Sequence, residues 1–341
     1  MPHRLAFLST AHIHTKSFLQ QLSKDELDAD VALIWDASAE RGQRYAESCG
    51  ARYVADLDAV LADDSIDGFV ICDANTRHLP LLEKALPVGK PMFCEKPLTT
   101  SVADAARVAE LLQEHDTPLC CGYFHCFTAG FDAVRRAAAD GVFGRITHAF
   151  FRNSHHACYG RWFDSSDVAW FVDPAESGGG AMMDMGAHAV HLLRHLLGPA
   201  VDVQATLANG SGVYPEVDDY GVATFRFEGG ALGRAEASWV QHNGVGGGLE
   251  IWGTESGLAW VNGKPAAVTA GGEPTLLPPG EAQPDRMHRL VAMLDGRIDA
   301  EALRADLRAS LDEAVMMEAV YLSAASGKVE PVAALDYPAG P

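Results

Sequence analysis

Apolar runs of four or five residues recur through the first third of the chain: Leu5–Leu8, Val31–Trp35, Gly68–Cys72, Pro91–Cys94 and Pro118–Cys121. Between them lie segments with helical spacing, Phe18–Leu22, Ala39–Cys49, Leu57–Leu61, His78–Leu86 and Ala103–His115. A strand that is apolar along its whole length needs cover on both faces, and helices between successive strands supply it. The alternation therefore predicts a doubly wound parallel sheet, whose ligands bind beyond the carboxyl ends of the strands. From Thr147 the texture changes. Thr147–Arg152, Val201–Leu207, Gly221–Phe227, Ala231–Val240 and Leu249–Trp252 read as strands, several of them separated by turn signals such as Glu228-Gly229-Gly230 and Asn262-Gly263. Trp239, Trp252 and Trp260 are expected on this second sheet, as core or subunit contact. Gly271–Asp285 reads as an exposed loop, and Met287–Leu294 and Glu301–Ala325 as helices.

The densest candidate chemistry lies in Ser177–Gly198, where three glycines lead into a helical run. At roughly 100° per residue, Asp184, His188, His191 and His195 fall within a band about 60° wide. Met185, Leu192, Leu193, Leu196 and Leu197 occupy the other side. Such a helix, packed by its apolar side, would aim an acid and three imidazoles into a cleft. Asp184 and His188 are i,i+4 neighbours, so the carboxylate is expected to orient or charge-stabilise the ring. A plain surface helix with chance histidines is the alternative, and the glycines and the apolar face argue against it.

Three loops of the first domain carry further candidates. After the first strand comes Ser9-Thr10-Ala11-His12-Ile13-His14, without glycine at the dinucleotide-fingerprint positions, held by Ser9, Ala11 and His14. Serine and alanine are small, the Ser9 and Thr10 hydroxyls can bond a pyrophosphate, and the next helix offers its N-terminal amides. Asp36 ends the second strand roughly 20 residues on, where an acid would accept bonds from the adenosine ribose; it also suits a cap on the helix from Ala39. In Glu95-Lys96-Pro97 a lysine stands at the carboxyl end of a strand, and Pro97 restricts it to extended geometry, with a cis bond allowed.

Composition narrows the partners. A net charge of −20 repels nucleic-acid phosphates and anionic membranes, so neither is an expected partner. No apolar run reaches the ~18 residues of a membrane span, and Leu5–Leu8 is too short for a signal segment, so a cytoplasmic location is expected. The seven cysteines form no CxxC and read as reduced thiols. Imidazoles at His188, His191 and His195, with His155 and His156 upstream, have zinc-compatible spacing, but no cysteine pattern supports ligation and no metal is expected.

Three pieces occur in order: the strand–loop–acid of Leu5–Asp36; Gly89-Lys90-Pro91 leading to Glu95-Lys96-Pro97; and Gly178-Gly179-Gly180 leading to Asp184-Met185-Gly186-Ala187-His188. Together with Gly141–Ile146 they resemble the Gfo/Idh/MocA family, relatives of glucose–fructose oxidoreductase and inositol dehydrogenase, over nearly the whole chain. The resemblance implies a Rossmann domain over 1–122. It implies a substrate-binding and oligomerisation domain over 123–341, α/β with a large open, mostly antiparallel sheet. It implies an oxidoreductase moving a hydride between NAD or NADP and a hydroxyl-bearing carbon of a sugar or polyol. Lys96, Asp184 and His188 match the catalytic lysine, aspartate and histidine. His188 would take the hydroxyl proton, Asp184 hold that imidazole, and Lys96 bond the reacting oxygen. Cofactor contacts are expected from Ser9, Thr10, Ala11, His12, Asp36, Asn75, His78, Glu95 and Lys96, with NAD preferred because Asp36 repels a 2′-phosphate and Arg41 is a turn away. Substrate contacts are expected from His125, Tyr159, Arg161, Trp162 and His191. The subunits are expected to form a homodimer or homotetramer through the open sheet. A redox-neutral enzyme with retained NAD, and a dinucleotide sensor, are the alternatives.

Overall fold

In the computed structural model, which describes residues 1–23, 27–243 and 246–337, the apolar runs of the first third lie side by side as parallel strands. These are β1 His3–Leu8, β2 Ala29–Trp35, β3 Arg52–Tyr53, β4 Gly68–Ile71, β5 Met92–Cys94 and β6 Leu119–Cys121, in the order β3-β2-β1-β4-β5-β6. Alternate residues of β1 explain why the runs are continuous. Ala6 and Leu8 join one apolar cluster, and Leu5 and Phe7 join another across the sheet. Helices α1 Thr15–Leu22, α2 Ala39–Cys49, α3 Leu57–Leu61, α4 His78–Ala85 and α5 Val102–His115 connect the strands. The strand order reverses at β1 and β4, so the loops after them flank a crevice. β3 escapes the pattern because two residues carry no period.

The second sheet has nine strands among the described residues: β7 Ile146–Ser154, β8 Ala200–Ala208, β9 Tyr220–Phe227, β10 Leu232–Ser238, β11 Gly246–Gly253, β12 Gly257–Val261, β13 Lys264–Val268, β14 Thr275–Leu276 and β15 Glu330–Pro331. All its neighbours pair antiparallel except β10 with β7. Asn262 and Gly263, both at positive φ, turn β12 into β13, as a two-residue hairpin requires. The chain also forms α6 Ala129–Ala139, α7 Ala157–Gly160, α8 Pro174–Ser177, α9 Ala187–Leu197, α10 Arg286–Leu294 and α11 Ala300–Ser326. One face of the sheet, with Phe151, Val203 and Phe225, packs on α9 and α11.

The three tryptophans separate. Trp239 is fully buried in that core, Trp252 is 43% exposed on the opposite face, and Trp260 lies against α6, its Nε1 donating to Leu249 O. Trp239 is thus the core residue among the three expected as core or subunit contact. The last two helices return to the first sheet. Met287, Leu290 and Val291 of α10 pack with Leu5, Phe7 and Phe93, and Leu307, Leu311 and Val315 of α11 pack with Leu8 and Ile71. The packing thus ties residues 286–326, expected in the second domain, to both sheets; residues 338–341 lie outside the described residues. No helix of the described residues is long and apolar enough to cross a membrane.

Candidate active site

The glycine run does a steric job. A Cβ on Gly179 would sit 2.0 Å from Tyr321 Oη, and one on Gly180 2.0 Å from Asp218 O. The bare backbone slips between these two residues. Asp218 accepts from Gly180 N at 2.9 Å and Met182 N at 2.7 Å, and Tyr321 Oη donates to Asp218 at 2.9 Å. The clamped segment then winds as a π turn over Met182–Gly186 before α9 begins. A π turn is wider than an α turn and is common at functional sites.

The wide turn changes what Asp184 touches. Its Oδ1 accepts from Lys96 Nζ at 2.5 Å, and its Oδ2 accepts from Trp239 Nε1 at 2.9 Å, with His155 Nε2 3.5 Å away. Lys96 Nζ also donates to Asp184 O at 3.1 Å. No hydrogen bond joins Asp184 to His188 among the described residues, and His188 Nδ1 is buried without a partner. The expectation that Asp184 orients the imidazole by a hydrogen bond is therefore corrected: the carboxylate bonds the lysine, while its charge still favours the His188 cation. Burial alone would raise the Asp184 carboxyl, but Lys96 and His155 outweigh it and hold it well below the usual range. Burial, then Lys96 and His125, push His188 well below the ordinary histidine range. The arrangement is a charged lysine–carboxylate pair beside a neutral imidazole.

Lys96, Asp184 and His188 line one cavity of about 270 Å³, together with His14, Phe124, His125, Asn153, His155 and Trp162. Lys96 reaches it from the end of β5, across a cis bond to Pro97. Glu95, fully buried, accepts from Lys96 N and pairs with His14 Nδ1, both at 2.9 Å. A Cβ on Gly122 would lie 2.6 Å from Glu95 Oε2, so the chain after β6 passes close only because it is glycine there.

Of the expected substrate residues, His125 and Trp162 reach the cavity. Tyr159, Arg161 and His191 do not. The short α7 and the left-handed Arg161 (φ 53°) turn the chain outward, so Tyr159 stacks on His242 and Arg161 pairs with Asp164. His191 lies behind the cavity, stacked on Tyr123 at 3.8 Å. All three expectations are corrected by direction: Tyr159 and Arg161 by the outward turn after α7, and His191 because the stripe on α9 spans more than one cleft.

On the other side of the β1 loop a cavity of about 290 Å³ is lined by Ala11, Ser38, Arg41, Asp73, Arg77 and Trp170. Ser9 holds φ +76°, a conformation glycine adopts freely, and its Oγ accepts from Ala11 N. Asp36 is nearly inaccessible and crowded with donors. Thr10 N and Oγ, Ser38 N, and Arg41 Nε and Nη2 all bond it within 3.0 Å. Arg41 thus folds back onto Asp36, where the sequence placed it a turn away. Asn75 donates to Ser177 O and leaves its Oδ1 buried without a partner. His78 is pinned between Pro97 O and Asp73 O, so it braces the loop. His12 packs on Trp170 and Phe171, and burial pushes it down to about 3.

Sequence reasoning missed His14, Phe124, Asn153, Trp239 and Trp170 at these sites. Asn153 carried a usable signal, as the polar residue in the inward register of β7. Trp239 and Trp170 carried none, since only the tertiary fold brings them to Asp184 and Ala11.

Comparison with known proteins agrees with this architecture. The family described as "Oxidoreductase family, NAD-binding Rossmann fold" matches residues 9–123, and the GFO/IDH/MocA C-terminal domain matches residues 131–259. The chain is 26% identical to 1,5-anhydro-D-fructose reductase of Ensifer adhaerens over 68% of each protein. It is 25% identical to myo-inositol 2-dehydrogenase of Thermotoga maritima over 67% of this chain and 66% of that one. The crystal structure of GenD2 from gentamicin A biosynthesis, in complex with NAD, superposes with a TM-score of 0.76 and 27% identity, covering 98% of this chain and 97% of that one.

Proposed function

This chain belongs to the Gfo/Idh/MocA family of NAD(P)-binding oxidoreductases, and on that premise we propose that it oxidises a hydroxyl-bearing carbon of a sugar or polyol with NAD. The observation that carries the reading is the Lys96–Asp184 ion pair beside the neutral His188 in one cavity. A bound nicotinamide supplies the hydride acceptor. His188, kept neutral by burial, takes the hydroxyl proton. Lys96 donates to the reacting oxygen as it gains alkoxide character, and its charge is worth most in this dry site. Asp184 tethers Lys96, and Trp239 and His155 in turn hold Asp184. His125, Asn153 and Trp162 line the substrate side. A polyhydroxylated substrate is supported by the relatives named for anhydrofructose and inositol.

The residues of the β1 loop fit a dinucleotide. Ser9 already holds the glycine-like turn, and the unpartnered Asn75 Oδ1 is an acceptor awaiting a donor. Ser9, Thr10, Ala11 and His12 would border the pyrophosphate, and Glu95 and His78 would brace the nicotinamide end. For NAD to be preferred, the ribose hydroxyls must replace Arg41 as donors to Asp36. Seven free thiols support a cytoplasmic location. The uncovered face of the second sheet, with Trp252 and Leu232 exposed, supports a homodimer or homotetramer built through that face; a monodisperse monomer at micromolar concentration in light scattering overturns that assembly.

The test of the activity is a sugar and polyol screen following NADH absorbance, with mass spectrometry of the product. A ketone or lactone two hydrogens lighter than its substrate, formed with one NADH, is the expected result. No NADH with any substrate class, despite calorimetric NAD binding, overturns it.

A further inference from the structure

Behind the catalytic cavity lies a cluster that the proposed reaction does not use. Cys126, His191 and His195 each present a ligand atom, and the three atoms lie within 4.8 Å of one another. Asp306 Oδ1 stands 3.9 Å from His191 Nε2 and 3.5 Å from His195 Nε2. The four residues come from the turn His125–Phe127, from α9 and from α11.

Two atoms at the centre are unsatisfied. His195 Nε2 and Asp306 Oδ1 are both buried without a hydrogen-bond partner, although they face each other. Asp306 is 4% exposed, so its free oxygen is not answered by bulk water. A buried acceptor left alone costs about 1–3 kcal/mol, more if charged. A cation between these atoms answers both at once. The other Asp306 oxygen faces Arg289 Nη2 at 3.5 Å, which orients the carboxylate from outside, as supporting groups around metal ligands do.

The donor set selects the metal. One thiolate, two imidazoles and one carboxylate are a borderline-soft set, suited to zinc and unlike the all-oxygen shells of calcium and magnesium. Ligand atoms on a tetrahedral zinc stand about 3.3–3.8 Å apart. Cys126, His191 and His195 already stand within 4.8 Å of one another, and Asp306 Oδ1 within 3.9 Å of both imidazoles, so closing onto a metal requires the Asp306 and Cys126 side chains to swing toward each other. His195 and Cys126 are the partly exposed members, and His191 is buried.

We propose that Cys126, His191, His195 and Asp306 form a closed structural zinc site. Four protein ligands leave no open position, so the metal does no chemistry there. It ties the turn that carries His125, and the helix that carries His188, to α11. This reverses the sequence expectation of no metal. Only His191 and His195 are close in the chain, and Cys126 and Asp306 join them through the fold.

The test uses the purified full-length chain, stripped by chelator and titrated with zinc or cobalt(II). About one zinc per chain, a Tm that rises on loading and falls on stripping, and a cobalt spectrum with intense visible bands and a thiolate charge-transfer band are expected. Cys126→Ser should lose the charge-transfer band, and His195→Ala the Tm response. If either fails to fold, Asp306→Asn is read in the same way. Substoichiometric zinc with no Tm response overturns the proposal. So does a cobalt spectrum unchanged in Cys126→Ser, which would move the metal to another group such as His12, His14 and Glu95.

Discussion

His188 and His191 stand three residues apart on α9, both nearly inaccessible, both held well below the ordinary histidine range. Tyr123 is the partition between them. Its ring stacks flat on His191 at 3.8 Å and meets His188 edge-on at 5.7 Å. On one side the imidazole opens to a cavity with Lys96; on the other it joins Cys126, His195 and Asp306. A helical stripe of ionisable residues thus fixes a side of the helix but not a destination. The destination is set by what packs against each turn, and here a single tyrosine from β6's exit splits the stripe in two.

The sharpest way to break this comparison is to disable one side and then the other. Lys96→Met and His188→Asn should each lower kcat by about 10²–10⁴-fold, the scale of general acid–base and oxyanion help. NAD affinity by calorimetry should change only a few-fold. His191→Ala, behind the partition, should leave kcat and KM within roughly threefold, since it touches no substrate. Steady-state kinetics on the three variants decides the matter. Equal losses in His188→Asn and His191→Ala would erase the distinction between the two sides.

Protonation sharpens it next. His188 works as a base only when neutral, and burial has already made it so. The kcat/KM profile should therefore stay flat through pH 6.5 and fall only well below it; a fall centred at 6.5 would mean a solvated base. Stability carries the same sign. His12 binds its proton near pH 6.5 when unfolded and near 3 when folded, so between those values the unfolded chain holds more protons. The stability it contributes is complete above 6.5 and lost as the pH falls toward 3, which urea unfolding from pH 7 to 4 measures.

How much of the two sides was legible in the sequence follows chain distance. Lys96, Asp36 and His188 stand at the ends of periodic segments or in a local motif, and the pattern reached them. The first sheet was legible for the same reason: each β–α unit carries its own signal. Trp239, His155, Asp218, Tyr321 and Asp306 act from other elements, 29 to 141 residues from the partners they serve, and no local period marks them. The Asp184–His188 contact was misjudged for a different reason. An i,i+4 argument assumes an α turn, and Met182–Gly186 winds as a π turn.

A smaller effect is expected at the adenosine end. Arg41 neutralises Asp36 in the present geometry, which weakens the repulsion that would exclude NADP. Arg41→Ala should raise the NAD-over-NADP ratio of kcat/KM several-fold by freeing the carboxylate, and Asp36→Ser should lower it by about tenfold or more. Opposite movement in the Arg41 variant would mean that the arginine, not the aspartate, recognises the ribose.

The smallest effect on catalysis, and the finest probe of the partition, is Glu313. Tyr123 Oη donates to Glu313 Oε2 at 2.5 Å, while Glu313 Oε1 is buried with no partner. Burial pushes this carboxyl up to about 8, only partly offset by Tyr123 and Lys96. Here the folded protein, not the unfolded chain, holds the extra proton. The stability that Glu313 contributes is present below about 4.5, its unfolded value, and is lost as the pH rises toward 8. Glu313→Gln removes the titration and keeps an acceptor for Tyr123. Its Tm relative to the parent should therefore climb between pH 5 and pH 8, while kcat at pH 7 stays within about twofold because Glu313 touches neither cavity nor cofactor loop. A Tm difference that does not vary with pH would mean that the carboxyl titrates in its ordinary range and that Tyr123 is held in place by packing against His191 alone.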